Sequence, residues 1–444
     1  MSAAEQMPEL PETPEAEIRA LVDMQKKAHI AEGPMTAERR IDLIDRTIAL
    51  LVENGDAMVE ALMADFGNRS PEGTLATDVG GTLGALKYAK KNTKKWMKAS
   101  KRHSMFPLGL LGASTRVEYQ PLGCVGNVVP WNFPFNLCFG PMGSIFAAGN
   151  RTIIKPSEYT VHSALLTKEL CEKYFDQSDV AVVLGGPETG AAFAKQPFDH
   201  LLFTGATPIA SHIMRAAAEN LVPVTLELGG KSPQVVFEDA DLESAANGLI
   251  AGNFGASGQS CVAGSRGLVH RSVFDQVAAL IEDKAQAIVV GDPLEAATHV
   301  GPLCTPAQVM RIRQVLDTAQ SQGAKIRFGG TAPDRPGNYM SPTLVECAGP
   351  DTETLKVEMF GPVMSLLPFD TEEEAIALAN DSDFGLGSGI FTRDLARAHR
   401  VSSRLRAGIC WVNTYRAISP IAPFGGFNQS GYGREAGMEA IKDY

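Results

Sequence analysis

The stretch Cys124-Val-Gly-Asn-Val-Val-Pro-Trp-Asn-Phe-Pro134, which continues as an apolar run to Ala148, decides the fold class. Residues 124–129 predict a strand, residues 130–134 a rigid turn and residues 137–148 a helix. The same succession continues with strands at 152–154, 180–184, 200–203 and 222–226, and helices at 161–174 and 208–219. Repeated βα units predict a parallel, doubly wound sheet whose ligands bind at the carboxyl ends of the strands.

The flanking segments extend this prediction to two domains and an arm. Residues 14–98 carry apolar residues at three-to-four spacing, which predicts helices, and residues 233–410 repeat the alternation of strands and helices. Residues 103–121 are apolar and broken by Pro and Gly, which favours a protruding hairpin that needs a partner subunit. Because 444 residues exceed one core, the sequence predicts an α/β protein with two doubly wound parallel-sheet domains and a small arm.

Composition narrows the classes of partner. The net charge of −11 supplies no basic footprint for nucleic acid. The absence of an apolar run of about 18 residues argues against a membrane span. Residues 1–15 are acidic and Pro-rich without the features of a signal peptide, which predicts a frayed leader and a cytoplasmic protein. Seven widely spaced cysteines and the lack of metal-binding spacings predict reduced thiols and no metal site.

A single cysteine stands in the stretch Phe254-Gly-Ala-Ser-Gly-Gln-Ser-Cys-Val-Ala-Gly-Ser265. Small neighbours would let a substrate and backbone N–H groups approach the sulfur of Cys261, which suits a nucleophile. A buried structural cysteine in a Gly-rich loop explains the same residues, since free cysteine is often buried. The stretch by itself leaves both interpretations open. No GxGxxG motif follows any predicted strand, so the usual dinucleotide fingerprint is missing.

Four motifs together resemble one family. They are Pro130-Trp-Asn-Phe-Pro-Phe, Glu227-Leu-Gly-Gly-Lys-Ser-Pro, Gly258-Gln-Ser-Cys and Glu358-Met-Phe-Gly-Pro-Val. Their order and spacing are similar to those of the NAD(P)-dependent aldehyde dehydrogenase superfamily, from about residue 40 to the end. Residues up to about 232 resemble coniferyl aldehyde dehydrogenases, whereas the later half is similar to general aldehyde dehydrogenases.

The resemblance implies where the domains begin and end. Residues 1–102, 122–228 and 414–444 would form the NAD-binding domain, residues 229–413 the catalytic domain, and residues 103–121 an oligomerisation arm. A homodimer or homotetramer is the expected assembly. Members of the family carry a further C-terminal strand that pairs with the arm of a partner subunit, and this sequence does not include it.

The resemblance also implies catalytic roles. A thiolate at Cys261 would attack the aldehyde carbon to give a tetrahedral thiohemiacetal. The side-chain amide of Asn132 and the backbone N–H of Cys261 would stabilise its oxyanion. After hydride transfer to the nicotinamide, Glu227 would activate the water that hydrolyses the thioester. Glu435 matches an acidic position that relays the proton outward.

The resemblance also implies a dinucleotide site. Lys155 and Glu158 would hold the adenosine ribose, and a carboxylate at 158 would repel a 2′-phosphate, so NAD is expected and NADP is the alternative. Glu358 and Phe360 would hold the nicotinamide ribose. The full implied set is Trp131, Lys155, Ser157, Glu158, Gly185, Thr204, Gly205, Leu228, Gly229, Gln308, Glu358 and Phe360.

A substrate tunnel completes the implied site. Gly140 stands where bulky residues narrow the mouth in relatives, which favours a bulky aromatic or long aliphatic aldehyde such as coniferyl aldehyde. The implied tunnel residues are Phe133, Gly140, Phe254, Ser260, Ile418 and Phe424. Two alternatives stay open: a CoA-acylating dehydrogenase, which commonly lacks the acid matching Glu227, and a non-catalytic nucleotide-binding protein on the same fold.

Overall fold

Helices build the N-terminal part of the computed structural model, which describes residues 8–444; the first seven residues of the predicted leader lie outside them. The helices predicted for residues 14–98 are α1 (Glu15–Glu32), α2 (Ala37–Glu53), α3 (Gly55–Phe66), α4 (Pro71–Thr74) and α5 (Thr82–Trp96). A π-helical segment, Leu75–Gly81, joins α4 to α5. Such segments often occur at functional sites, and this one carries the buried Asp78.

A two-stranded antiparallel ribbon forms the arm. Its strands are β1 (Ser100–Arg102) and β2 (Thr115–Val117), so the ribbon begins slightly before the predicted boundary at residue 103. Large apolar side chains on the connecting segment are exposed, with Phe106, Leu110 and Leu111 at about four-fifths of their maximal accessibility (82%, 79% and 79%). An apolar surface of this kind is typical of a contact with another chain.

The first large sheet contains the βα unit of residues 124–148. Its strand order is β15-β7-β6-β3-β4-β5, and all neighbours are parallel except β15 and β7. The strands are β3 (Cys124–Val128), β4 (Arg151–Lys155), β5 (Val180–Val182), β6 (His200–Thr204), β7 (Val224–Glu227) and β15 (Gly431–Tyr432). The accompanying helices are α6 (Pro134–Ala148), α7 (Val161–Tyr174), α8 (Pro187–Ala194) and α9 (Thr207–Ala218).

The second sheet follows the order β10-β11-β12-β9-β8-β13-β14, and only β10 and β11 are antiparallel. Its strands are β8 (Pro233–Val236), β9 (Arg266–His270), β10 (Lys325–Phe328), β11 (Thr343–Glu346), β12 (Val363–Phe369), β13 (Gly387–Phe391) and β14 (Ile409–Val412). Its helices are α10 (Leu242–Phe254), α11 (Phe274–Gln286), α12 (Pro306–Ser321), α13 (Glu353–Lys356), α14 (Glu372–Asn380) and α15 (Leu395–Ser402). The predicted α/β class with two mainly parallel sheets is confirmed.

Strand β13 escaped the sequence analysis, although it lies between β8 and β14 inside the sheet. Its sequence, Gly-Ser-Gly-Ile-Phe, contains two glycines, which are depleted in strands. The structure explains them: a Cβ on Gly389 would lie 2.8 Å from the ring of Tyr415. The glycines therefore let Tyr415 approach the sheet, and this packing is invisible to periodicity.

The core of the first sheet forms around α6. Phe135, Phe139 and Phe146 are fully buried, and the rings of Phe135 and Phe139 stack with their centroids 6.4 Å apart. Helices α2 and α5 pack against α6 with Leu43 and Leu86, which are also fully buried. Across residues 8–444, no helix combines the length and apolar character needed to cross a bilayer.

Candidate active site

The turn after β3 positions Asn132 at the edge of the first sheet. Asn132 is buried, and its Nδ2 donates to the carbonyl oxygen of Gln259 at 3.1 Å. Its own carbonyl oxygen accepts from Arg69 Nη1 at 2.7 Å. A side-chain amide has two N–H donors, so one fixes the orientation of Asn132 and the second is left for a ligand.

The loop between α10 and β9 carries Cys261. Ala256 and Ser257 both adopt the left-handed conformation (φ +54°), as does Gly258 (φ +73°), where a Cβ would overlap the carbonyl of Gly361. Strain of this kind is often stored at functional sites. Tight packing therefore accounts for part of the small-residue pattern, for which substrate access to the sulfur is the interpretation from the sequence alone. Cys261 itself is half-buried, against Val262 and a small apolar cluster.

Two acids influence the Cys261 thiol. Burial raises the pKa of Cys261 to about 12, and the neighbouring carboxylates of Glu227 and Glu358 act in the same direction. The guanidinium of Arg416 and the backbone N–H of Val262 oppose this shift. The thiol therefore lies within electrostatic range of the predicted base, and a nearby positive charge would favour the thiolate.

Glu227 ends β7 in a buried position. Its pKa is held well above the usual range, first by burial and then by the carboxylate of Glu435. Within the described chain neither of its carboxylate oxygens has a hydrogen-bond partner, and a Cβ on Gly425 would lie 2.7 Å from Oε1. A buried acid that lacks a partner and sits beside a thiol is a candidate general base.

Glu435 lies next to Glu227 and contacts the C-terminal residue. The hydroxyl of Tyr444 donates to Glu435 Oε1, and the Glu435 backbone pairs with that of Phe424 at 2.7 and 2.8 Å. Burial raises the pKa of Glu435 to about 8. The structure thus brings the four predicted catalytic residues into one region.

A cavity of about 300 Å³ opens beside Asn132 and the Cys261 loop. Its wall includes Phe133, one of the predicted tunnel residues, together with Phe66 and Gln259. Arg69 lies over both rings, with its guanidinium carbon 4.9 Å from the Phe66 centroid and 5.2 Å from that of Phe133. The cavity therefore has an aromatic wall next to the predicted oxyanion donor.

The other predicted tunnel residues lie elsewhere. Phe254 is buried in the core of the second sheet, 6.3 Å from Phe328, which corrects its assignment to the tunnel wall. Ile418 is exposed (57%), and Ser260 is buried beside Cys261. Phe424 packs against the Cys261 cluster, and a side chain at Gly140 would meet no atom within 4 Å.

The residues predicted to hold the nicotinamide ribose converge near Cys261. Glu358 Oε1 accepts from the Gly230 N–H at 2.9 Å, and burial raises the pKa of Glu358 to about 7. Phe360 has a left-handed backbone (φ +48°) and packs edge-on against Trp131 at 5.2 Å. Gln308 Nε2 donates to the Phe360 carbonyl oxygen. A Cβ at Gly229 would overlap the Glu358 carboxylate, so the predicted glycine is a steric requirement.

The predicted adenosine residues cluster at the carboxyl end of β4. Lys155 is buried and its Nζ lies 3.0 Å from Glu158 Oε2. Ser157 is also buried, and its hydroxyl accepts from the Tyr159 N–H at 3.2 Å. A ribose needs acceptors for its hydroxyls, and this pair of charged residues offers the Glu158 carboxylate in a fixed position.

Glu12 joins this cluster, although no local sequence pattern predicts that it does. Its Oε1 accepts from the Gly186 N–H at 2.9 Å, and its Oε2 accepts from the Thr189 hydroxyl. These two hydrogen bonds lower the pKa of Glu12, and the charge of Lys155 contributes. The leader thus adds a second carboxylate beside Lys155, next to the predicted Gly185.

The remaining predicted cofactor residues lie at or just after the carboxyl ends of β6 and β7. Thr204 pairs with Glu227 across the two strands, and the Gly205 N–H donates to the Glu227 carbonyl oxygen at 3.0 Å. Leu228 donates to the Ser430 carbonyl oxygen at 3.1 Å. Helix α9 begins after Ala206, which offers no side-chain cap. The positive end of the helix dipole therefore lies uncapped by a side chain at the sheet edge, where a pyrophosphate would bind.

Three charged residues of this region, Glu12, Arg69 and Arg416, were not predicted from the sequence. Each is remote in sequence from the four motifs or lies in an irregular segment. Only the fold brings them to the site, since no local pattern distinguishes them from surface charges. Over the described residues, no three His, Cys, Asp or Glu side chains form a metal-binding group.

The chain is similar to known proteins in both sequence and fold. A family model described as "Aldehyde dehydrogenase family" matches residues 2–444. The coniferyl aldehyde dehydrogenase of Pseudomonas sp. strain HR199 is 38% identical over 434 residues, which are 96% of this chain and 89% of that protein. A betaine aldehyde dehydrogenase of Cereibacter sphaeroides is 42% identical over 328 residues (73% and 68%). An NAD+ complex of an aldehyde dehydrogenase from Bacillus cereus superposes with a TM-score of 0.90, at 34% identity, over 98% of this chain and 88% of that one.

The raised pKa of Glu435 predicts how stability depends on pH. Glu435 has a pKa of about 8 in the folded chain and an ordinary value of 4.5 when unfolded. Between these values the folded state holds the extra proton, so the free energy of unfolding falls as pH rises, by less than about 1.4 kcal/mol per pH unit. Glu435→Gln should weaken this decline and raise the melting temperature at pH 8. Glu439→Gln removes an exposed charge nearby and should behave as wild type; equal pH dependence in all three proteins would contradict the prediction.

Proposed function

The chain belongs to the aldehyde dehydrogenase family, and on that premise we propose that it oxidises an aldehyde to the carboxylic acid through a thioester on Cys261, with NAD as cofactor. The observation that carries the proposal is the convergence of three side chains. The Glu227 carboxylate raises the pKa of the Cys261 thiol. The Asn132 side chain donates to the carbonyl oxygen of Gln259, which lies two residues before Cys261. A nucleophile, a base and an oxyanion donor therefore lie close together, and the oxyanion donor Asn132 also lines the cavity.

The first step is attack by the Cys261 thiolate on the aldehyde carbon. The carbonyl carbon becomes tetrahedral, and its oxygen takes up the negative charge. The free N–H of the Asn132 amide and the Cys261 backbone N–H are the donors for that oxygen. Since the Arg69 and Gln259 contacts hold Asn132 in place, the donor needs no reorganisation when charge develops.

The second half of the reaction requires a base. When bound, NAD accepts the hydride, which leaves the acyl group on the sulfur of Cys261. Glu227 then takes a proton from water, and the resulting hydroxide displaces the thiolate from the acyl carbon. Glu435 lies beside Glu227 and receives the proton in turn, and its contact with Tyr444 fixes its position.

The cofactor residues present in this chain fit a dinucleotide. Lys155 and Glu158 would hold the adenosine ribose, and Gly205 with the start of α9 would face the pyrophosphate. Glu358 and Phe360 would hold the nicotinamide ribose near Cys261. Two carboxylates, those of Glu12 and Glu158, flank Lys155. Their combined negative charge supports NAD over NADP, because a 2′-phosphate would be repelled.

A bulky aromatic or long aliphatic aldehyde is the proposed substrate. The cavity volume of about 300 Å³ and the rings of Phe66 and Phe133 support a flat, extended ligand. The relative named for coniferyl aldehyde supports the same class. Retention of Glu227 in a buried position beside the thiol argues against acyl transfer to CoA, because hydrolysis needs this base and CoA transfer does not.

Substitution of the base tests this mechanism. Glu227→Gln preserves size but cannot accept a proton from water, so the acyl group should remain on Cys261. We expect a burst of about one NADH per active site and a steady-state rate reduced by about 10²–10⁴-fold. Mass spectrometry should locate the acyl adduct on Cys261.

Cys261→Ser serves as the control and should abolish the burst. Full turnover by Glu227→Gln, or no NADH from the wild-type protein across a panel of aldehydes, would contradict the proposed function. Addition of CoA should leave the free acid as the product of the wild-type protein.

Cofactor preference can be tested by binding alone. Glu158→Gln removes one carboxylate beside Lys155, so the affinity for NADP should rise relative to NAD by about 10-fold, as expected for a loss of roughly 1.4 kcal/mol of repulsion. Combination with Glu12→Gln should increase the effect. Isothermal titration calorimetry measures both dissociation constants, and Glu188→Gln, an exposed acid on α8, is the matched control. An unchanged ratio of the two constants would refute this account of selectivity.

A homodimer or homotetramer is the proposed assembly, with the arm as its contact. The exposed side chains of Phe106, Leu110 and Leu111 support this, since large contiguous apolar patches are uncommon on the surface of monomers. The antiparallel ribbon also presents an open strand edge that a second copy would cover.

Polar substitutions in the arm should therefore reduce the mass in solution. Leu110→Ser combined with Leu111→Ser removes apolar area from the proposed contact, and light scattering after gel filtration should show a smaller species. Leu221→Ser changes an equally exposed leucine outside the arm (90% exposed) and should leave the mass unaltered. The proposal fails if the wild-type protein is monomeric or if the arm variant keeps its full mass.

A further inference from the structure

The cavity beside the Cys261 loop is surrounded by positive and hydrogen-bond-donating groups. Arg69, His299 and Arg416 lie in its wall, together with hydroxyl and amide side chains. Among the residues that the structure describes, no aspartate or glutamate contributes to this wall. A wall that carries guanidinium and other donor groups but no carboxylate is complementary to an anionic ligand and unfavourable for a cationic one.

The two arginines differ in what balances their charge. Arg69 is committed to the protein, because its Nη2 lies 3.1 Å from the buried Asp78 carboxylate and its Nη1 holds Asn132. Arg416 donates through Nη1 to the carbonyl oxygen of Gly255 at 3.2 Å. Within residues 8–444, no carboxylate lies within ion-pair distance of Arg416. Its charge is therefore available to a ligand.

The backbone holds Arg416 in this position. Its φ of +60° is unusual for a residue other than glycine and indicates a constrained conformation. A Cβ on Gly255 would lie 2.9 Å from Arg416 Nη1, so a glycine is needed for the guanidinium to reach the Gly255 carbonyl. Burial lowers the pKa of Arg416, and the Cys261 thiol and Tyr415 oppose this. A desolvated guanidinium in a fixed position gains more from a carboxylate than an exposed one does.

His299 adds a donor at the exposed side of the cavity. Its Nδ1 accepts from the Val289 N–H at 3.2 Å, so the neutral ring carries its proton on Nε2. Thr298, which also lines the cavity, has a buried hydroxyl without a partner among the described residues. Both groups extend the set of donors around Arg416.

We propose that the substrate is an aldehyde that also carries a carboxylate, with the carboxylate bound by Arg416 and the aldehyde carbon directed toward Cys261. This inference rests on the proposed function and narrows its substrate class to semialdehydes of dicarboxylic acids, with an aromatic or extended body between the two groups. The fork of donors on a guanidinium matches the two oxygens of a carboxylate, whereas a neutral ester of the same shape cannot accept equally well.

A pair of aldehydes that differ only in charge provides the test. The pair is 4-carboxybenzaldehyde and methyl 4-formylbenzoate. For the wild-type protein, kcat/KM should be about 10- to 100-fold higher with the carboxylate, the range expected for a charged hydrogen bond. Arg416→Gln should bring the ratio of the two values near one, chiefly through KM, and Arg416→Lys should give an intermediate ratio. Arg313→Gln removes an exposed arginine on α12 and should keep the wild-type ratio.

The same variants separate carboxylate binding from activation of the thiol. The Arg416 charge also favours the Cys261 thiolate, and if that were its sole role, Arg416→Gln would slow both aldehydes equally. An unchanged ratio in Arg416→Gln, or a wild-type protein that prefers the ester, would overturn the proposal.

A binding measurement keeps this test independent of turnover. The ketone 4-acetylbenzoate resembles the substrate but has no aldehyde hydrogen to transfer. Calorimetry should show binding that is about 10- to 100-fold weaker in Arg416→Gln than in the wild-type protein. Equal binding by both proteins would overturn the inference. A difference in binding together with no oxidation of either aldehyde would support the carboxylate site and refute the proposed function.

Discussion

Contact between the connection from β7 to β8 and the Cys261 loop is the constraint on which the site depends. Residues 228–232 link the two large sheets, and the carbonyl of Cys261 lies so near Gly230 that a Cβ there would come within 2.6 Å. Glu227 ends β7 at one side of this contact, and the Gly230 N–H holds Glu358 at the other. A larger residue at position 230 would meet the Cys261 carbonyl, and one at position 229 would meet the Glu358 carboxylate, so either would disturb the spacing between the thiol and the acids.

A second chain of contacts sets the oxyanion donor. The π-helical turn buries Asp78, which pairs with Arg69 and accepts from the N–H of Asn136 at 3.2 Å. Arg69 in turn holds the carbonyl of Asn132. Burial raises the pKa of Asp78, and the charge of Arg69 opposes that shift. A charge pair removed from water thus fixes the turn after β3, although neither member carries out chemistry.

Electrostatics divide the site into regions of opposite sign. Acidic groups, Glu227, Glu358 and Glu435, lie around the sulfur and the proposed nicotinamide position, and burial raises the pKa of each. The cavity wall beyond Asn132 is positive. An acid with a raised pKa is suited to take a proton from water near neutral pH, whereas an unbalanced arginine is suited to bind and orient an anion. The two regions together suit the proposed substrate, which has a reactive group at one end and a charge at the other.

The sequence by itself determined the α/β class, the positions of most strands along the chain, and four motifs whose residues converge at one site, because each strand and turn leaves a local pattern of apolar residues, Gly and Pro. It did not reveal β13, since the glycines that admit Tyr415 contradict strand propensity. It placed Phe254 in the tunnel, although that ring fills the core. Glu12, Arg69 and Arg416 became part of the site only in the tertiary structure. A charged side chain leaves the same local sequence pattern on a surface and in a cavity. Only the packing of distant segments decides whether that side chain has an ion-pair partner.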